Sequence, residues 1–145
     1  HRSISEYPRA DTLHTIDTGT YHAVICSGDV ANEAVEKDGR ALRYHAMFQP
    51  DGTNVNFVQK TDPTALAIRT YERGVEAETL SCGTGAVAAA LVSALTDGVE
   101  PPVSVRTHSG ETLMVDFQRS GEKITDVTLL GSAHLVFEGK LSEDL

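Results

Sequence analysis

Residues 86–95, Ala-Val-Ala-Ala-Ala-Leu-Val-Ser-Ala-Leu, carry no charge and are mostly strong helix formers. A helix that is apolar all round is stable only when it is covered on every side, so this run demands a fold that surrounds it. Just before it stand Cys82 and Gly83-Thr84-Gly85. Thr84 suits an N-cap and the glycines tolerate unusual backbone angles, so the helix is expected to begin just after Cys82. Unpaired N–H groups and the positive end of the helix dipole then lie beside the thiol. Two expectations follow. The thiolate is favoured there, which lowers the pKa of Cys82, and the same N–H groups form a cradle for an anion such as a carboxylate.

The rest of the chain reads mainly as strands. Alternation predicts strands over 13–18 and 54–59, and the stretches between turn signals predict further strands over 21–26, 65–71, 103–107, 111–117, 124–130 and 134–137. Turn chemistry separates them at Gly19-Thr20, Gly52-Thr53, Glu72-Arg73-Gly74, His108-Ser109-Gly110 and Arg119-Ser120-Gly121. A helix over 30–37 is expected to start at Asp29 and end at Asp38-Gly39-Arg40, with a second short helix over 41–47. Residues 1–12 read as an irregular lead-in and 13–145 as one domain. The pattern implies an α+β fold in which a curved, mostly antiparallel sheet wraps one buried apolar helix.

Composition narrows the partners. A formal net charge of −9 and the lack of any basic stretch argue against nucleic acid or an anionic membrane. No apolar run reaches membrane-spanning length, and no signal-peptide pattern opens the chain. Two cysteines, Cys26 and Cys82, are too few for a disulfide scaffold, and no spacing with histidine suggests a metal site. A reducing cytoplasm is the expected compartment. The chain starts His1-Arg2-Ser3 rather than with methionine, which reads as a piece of a longer protein.

Among chemistry-bearing residues Cys82 ranks first, because a cysteine that only packs has no need of glycine after it. His22, entering a strand behind a glycine loop, matters only if that loop lies near Cys82; otherwise it is a structural histidine. Glu72 and Arg73 sit at a corner leading into the Cys82 loop. Asn54 and Asn56 occupy a strand, where asparagine needs a specific hydrogen bond, so one is read as a ligand contact and the other as facing outward. Cys26 reads as core.

These residues carry a resemblance. Tyr71-Glu-Arg-Gly74 followed by Glu78-Thr-Leu-Ser-Cys-Gly-Thr-Gly-Ala86 resembles the C-terminal half of diaminopimelate epimerase. Weaker matches fall in the right order at Gly19-Thr-Tyr-His22, Gly52-Thr-Asn-Val-Asn-Phe57 and Gly131-Ser-Ala-His-Leu-Val-Phe-Glu-Gly139, so the similarity spans about residues 13 to 140. It implies a cofactor-independent isomerase that interconverts LL- and meso-diaminopimelate with two opposed cysteines, one from each of two similar halves. The product serves lysine and cell-wall synthesis. By position, Cys82 is similar to one acid/base thiol, and Glu72 and His22 to the residues that position or polarise the thiols. Gly83 and Thr84 would bind the α-carboxylate through N–H groups, Arg73 the distal carboxylate and Asn54 the substrate. Thr20 stands where the family commonly has a substrate-binding asparagine, Tyr21 replaces a proline, and the segment near residues 75–77 is one residue longer.

No second Cys-Gly motif occurs in the chain, so the resemblance implies half a site, an absent N-terminal half as partner, and no activity alone. A homodimer setting Cys82 against Cys82 is a further expectation. The alternatives are a related cofactor-independent racemase, of proline racemase-like or phenazine-biosynthesis-like type, and a non-catalytic binding domain. The Glu-Arg-Gly corner favours the epimerase, since arginine suits a second carboxylate.

Overall fold

The long apolar helix finds its cover in a single sheet. The computed structural model describes residue 9 and residues 12–141. The expected lead-in therefore lies, apart from Arg9 and Thr12, outside the described residues. Ten elements follow: β1 (Leu13–Asp17), β2 (Tyr21–Cys26), α1 (Val35–Arg43), β3 (Asn54–Asp62), β4 (Ala65–Glu72), β5 (Ala77–Thr79), α2 (Gly83–Thr96), β6 (Val103–Arg106), β7 (Thr112–Ser120) and β8 (Lys123–Leu130). The strand order is β1-β2-β3-β4-β6-β7-β8, with β5 paired to β4. Neighbours are antiparallel except β2/β3 and β4/β6. Those two parallel pairs are the ones joined by helices, as parallel neighbours need a long crossover. α1 crosses from β2 to β3 and α2 from β4 to β6.

α2 packs against β1, β2, β3, β4, β6, β7 and β8. A straight helix touches that many strands of one sheet only if the sheet curls around it, so the expected architecture stands. The inner core joins Ala86, Ala88 to Ala90, Val92 and Ala94 to Val24, Val58, Leu66, Ile68, Val103, Val105 and Val115. The small alanines let the strands approach closely. No helix of the described residues is long and apolar enough to cross a membrane.

Three expectations need correction. The region 30–47 holds one amphipathic helix, Val35–Arg43, flanked by 3-10 turns at Val30–Asn32 and Ala46–Phe48. Asp29 makes no side-chain cap bond, and Asp38-Gly39-Arg40 lies inside the helix rather than ending it. The outer sheet face consequently has a core of its own, where Val35 and Leu42 meet Ala23, Ile25, Val55, Phe57, Ala67 and Tyr71. Successive strand residues alternate between the two cores. Gly39 sits mid-helix because a Cβ there would come within 2.4 Å of Tyr71 Cβ. Glycine costs roughly 0.5–1 kcal/mol in a helix, and here it permits the close crossing.

The second correction adds β5, a short strand where only a loop was legible. The third removes a strand: residues 131–141 form none, and Leu135 and Phe137 are 79% and 82% exposed. Their alternation suits a strand, but a strand needs a partner edge, and none among the described residues pairs with them. Leu129 and Leu130 of β8 are likewise exposed.

Gly39→Ala separates packing from propensity. Propensity alone would stabilise the helix by about 1 kcal/mol. The Tyr71 contact is expected to reverse the sign, for a net loss of about 1–3 kcal/mol in urea unfolding; a gain would show that α1 does not lie so close to β4.

Candidate active site

Cys82 is the N-cap residue of α2, with extended angles φ −140° and ψ 108°. Thr84 therefore falls within the first turn and is not the cap as the sequence suggested. The thiol makes no cap bond, and its Sγ lies 3.6 Å from Thr84 Oγ1 instead. The first bond of the helix runs from Ala86 N–H to the Cys82 carbonyl at 2.9 Å. The N–H groups of Gly83, Thr84 and Gly85 precede it and have no acceptor within the helix. Cys82 itself is partly buried.

Three expected binding residues, Arg73, Asn54 and Thr20, come together in the fold. The Arg73 backbone N–H donates to Asn54 Oδ1 at 2.8 Å, and Arg73 Nη2 donates to Thr20 Oγ1 at 3.2 Å. Asn54 Nδ2 in turn reaches Thr20 Oγ1 at 3.4 Å and the Tyr21 carbonyl at 3.3 Å. The second guanidinium nitrogen, Nη1, donates to the Asp51 carbonyl at 3.0 Å. The cluster forms because β2 and β3 run parallel with His22 opposite Asn54, which brings the Gly19 loop alongside the end of β4. Both Arg73 nitrogens now serve neutral acceptors, and a carboxylate is the stronger partner for a guanidinium.

His22 is buried on the sheet face that meets α2, as its neighbour at i+2, Val24, belongs to the inner core. Burial, followed by the positive charge of Arg73, lowers its pKa to about 4, with Asp17 opposing weakly. The imidazole is therefore neutral at physiological pH. Its Nδ1 lies 2.9 Å from Asn56 Nδ2, and Asn56 Oδ1 accepts from the Thr70 hydroxyl at 3.0 Å. Asn56 is fully buried, which corrects the reading of one strand asparagine as outward-facing. A Cβ on Gly85 would meet Asn56 Oδ1 at 2.5 Å and Cys82 Sγ at 3.2 Å. Gly85 is thus what lets the start of α2 settle onto Asn56, and it ties the histidine cluster to the thiol.

Glu72 shares a sheet face with Thr70, two residues earlier, and so lies on the site's side of the sheet. The residue is partly buried, and its side chain joins none of the other candidates by a hydrogen bond among the described residues. The sequence reading missed what orients the loop between Arg73 and Cys82. Arg69 grips Glu78 through both carboxylate oxygens, at 2.6 and 2.7 Å, and donates Nη1 to the Val30, Ala31 and Glu33 carbonyls. The signal was out of reach because β5, which sets Glu78 near Arg69, was not legible. Cys26 also departs from expectation. It is partly buried rather than core, its Sγ lies 3.8 Å from Asp97 Oδ2, and burial together with that carboxylate raises its pKa.

Comparison with known proteins is consistent with this geometry. The family model described as diaminopimelate epimerase matches residues 14–136. The diaminopimelate epimerase of Aquifex aeolicus is 53% identical over 131 residues, which is 90% of this chain and 46% of that protein. That of Chlorobaculum tepidum is 45% identical over 130 residues, 89% of this chain and 49% of that protein. The chain thus spans about half the length of these curated relatives. Among solved structures, a hydroxyproline epimerase from Agrobacterium vitis superposes with TM-score 0.52 at 16% identity, covering 81% of this chain and 39% of that one. It shares the fold.

The neutral, buried His22 gives the site a pH signature. Its folded pKa of about 4 lies below the unfolded value of about 6.5. The unfolded chain takes up the proton first, so this residue's contribution to stability is lost as pH falls from about 6.5 toward 4. Unfolding at pH 7 and pH 5 is expected to show a loss of roughly 2 kcal/mol that His22→Gln does not share; parallel losses in both proteins would place His22 in water.

Proposed function

The chain belongs to the diaminopimelate epimerase family, and from that premise we propose that it is one half of an epimerase interconverting LL- and meso-diaminopimelate. Its part is to supply one of two acid/base cysteines. The observation that carries this reading is Cys82 at the N-cap of a buried helix whose first N–H groups, those of Gly83, Thr84 and Gly85, have no acceptor within the helix. That arrangement serves the chemistry of an amino acid α-carbon, whose proton is weakly acidic. The Cys82 thiolate removes the α-proton and becomes a thiol, while the electron pair left on the α-carbon spreads into the α-carboxylate. The helix N-terminus faces that growing charge with preorganised donors. A second thiol, from the half of the protein that this chain does not span, delivers a proton to the opposite face and is left as a thiolate. No cofactor takes part in these steps.

The remaining residues divide the substrate. Gly83 and Thr84 hold the α-carboxylate. Arg73 exchanges the Thr20 and Asp51 oxygens for the distal carboxylate, with Asn54 and Thr20 completing that end. Glu72 and His22 position or polarise the thiols, and Glu72 also meets the α-ammonium. The exposed apolar residues of β8 and the segment after it, Leu129, Leu130, Leu135 and Phe137, are suited to seating the other half. The cytoplasm, where the cysteines stay reduced, is the compartment this chemistry requires.

Supplying the missing half in trans tests the reading. The 145-residue chain alone is expected to show negligible epimerisation and the reassembled pair to recover it, with Cys82→Ala in that pair costing about 100-fold or more. Turnover by the chain alone, abolished by Cys82→Ser, would replace this scheme with a homodimer that opposes two copies of Cys82.

A further inference from the structure

Asn56 lies in β3 with no exposure, and every polar atom of its side chain is used. Its Nδ2 lies 2.9 Å from His22 Nδ1 and donates to the Ala23 carbonyl at 3.3 Å. Its Oδ1 accepts from the Thr70 hydroxyl at 3.0 Å. One of these contacts fixes the direction of all of them. The Ala23 carbonyl can only accept, so the amide group facing it is the NH2; the reverse orientation would set two oxygens together in a dry interior, an arrangement that costs free energy. The same NH2 faces His22 Nδ1, which must then offer a lone pair. A neutral imidazole carries one hydrogen, and only Nε2 is left to hold it. That Nε2 is buried and has no partner among the described residues.

We infer that Asn56 is a positioning residue that locks His22 as the Nε2–H tautomer, so that His22 enters the site as a hydrogen-bond donor to an anion and not as a base. This deepens the epimerase reading by giving His22 a direction. Nδ1 is engaged by the amide, and Nε2, already carrying its hydrogen, can give a hydrogen bond but cannot accept a proton. An acceptor such as a thiolate or a carboxylate would relieve the cost of burying that donor unpaired. Burial and the charge of Arg73 keep the ring neutral near pH 7, as a single fixed tautomer requires. Deprotonation of Cys82 would then fall to a group other than His22, which separates the two residues that the sequence grouped together as polarisers of the thiols.

Long-range 1H–15N correlation spectra of the labelled chain at pH 7 read the two ring nitrogens directly. The spectrum reports the ring and not turnover, so it stands or fails separately from the epimerase reading. His22 is expected to show a lone-pair-bearing Nδ1 and a hydrogen-bearing Nε2. In Asn56→Asp, which puts an acceptor in the place of the amide donor, the hydrogen is expected on Nδ1. A native spectrum with the hydrogen on Nδ1, on both nitrogens or averaged between them would overturn the inference. So would an Asn56→Asp protein that keeps the native pattern. Should that variant fail to fold, the native spectrum decides alone.

Discussion

The contact on which the site rests is the approach of the α2 N-terminus to Asn56. It exists because Gly85 has no Cβ: a methyl there would stand 2.5 Å from the asparagine oxygen. Close packing turns a buried helix into a positioning device, since α2 is fixed along its length by seven strands and cannot retreat without opening the inner core. The thiol at its N-cap inherits that rigidity. Sites on rigid elements hold their geometry better than sites on free loops, and here the dipole, the N–H groups and the cysteine all belong to one element.

The outer layer does different work. α1 crosses β4 over Gly39, and the Arg69 guanidinium joins the turn before α1 to Glu78 on the approach to Cys82. The sheet therefore separates two tasks. Its outer face anchors the loop that delivers the cysteine, and its inner face carries His22, Asn56 and Thr70, the polar cluster onto which the start of α2 settles at Gly85. Tyr71 and Thr70 illustrate the division: adjacent in sequence, one fills the outer core and the other bonds Asn56. Such alternation is an unavoidable consequence of strand geometry.

What was legible in the sequence is what short-range physics governs. The uncharged run of α2 announced itself, as did the alternation of β3 and the apolar runs of β2 and β4 between turn signals, and glycine beside Cys82 marked the site. The boundaries of α1 were not legible, because Gly39 reads locally as a helix stop and only Tyr71, distant in sequence, explains it. The burial of Asn56 was not legible for a similar reason. Its partners Ala23 and Thr70 come from two other strands, and nothing near residue 56 signals them. The strand expected at 134–137 has the right alternation but no edge to join among the described residues, a case where local propensity stands without its long-range partner. The cap lies two residues before Thr84: Cys82 takes that position itself, and the Thr84 hydroxyl lies 3.6 Å from its sulfur.

The measurement that bears most directly on the reactive helix start is alkylation by iodoacetamide across pH, with each cysteine followed separately by mass spectrometry. Cys26 is an internal reference, its thiol disfavoured as an anion by burial and by Asp97. Cys82, beside three N–H groups at the head of α2, is expected to label well before Cys26 at neutral pH and to keep that lead as the pH is lowered. Equal rates at all pH values, or a Cys82 slower than Cys26, would contradict the claim that the helix start prepares its cysteine for proton transfer.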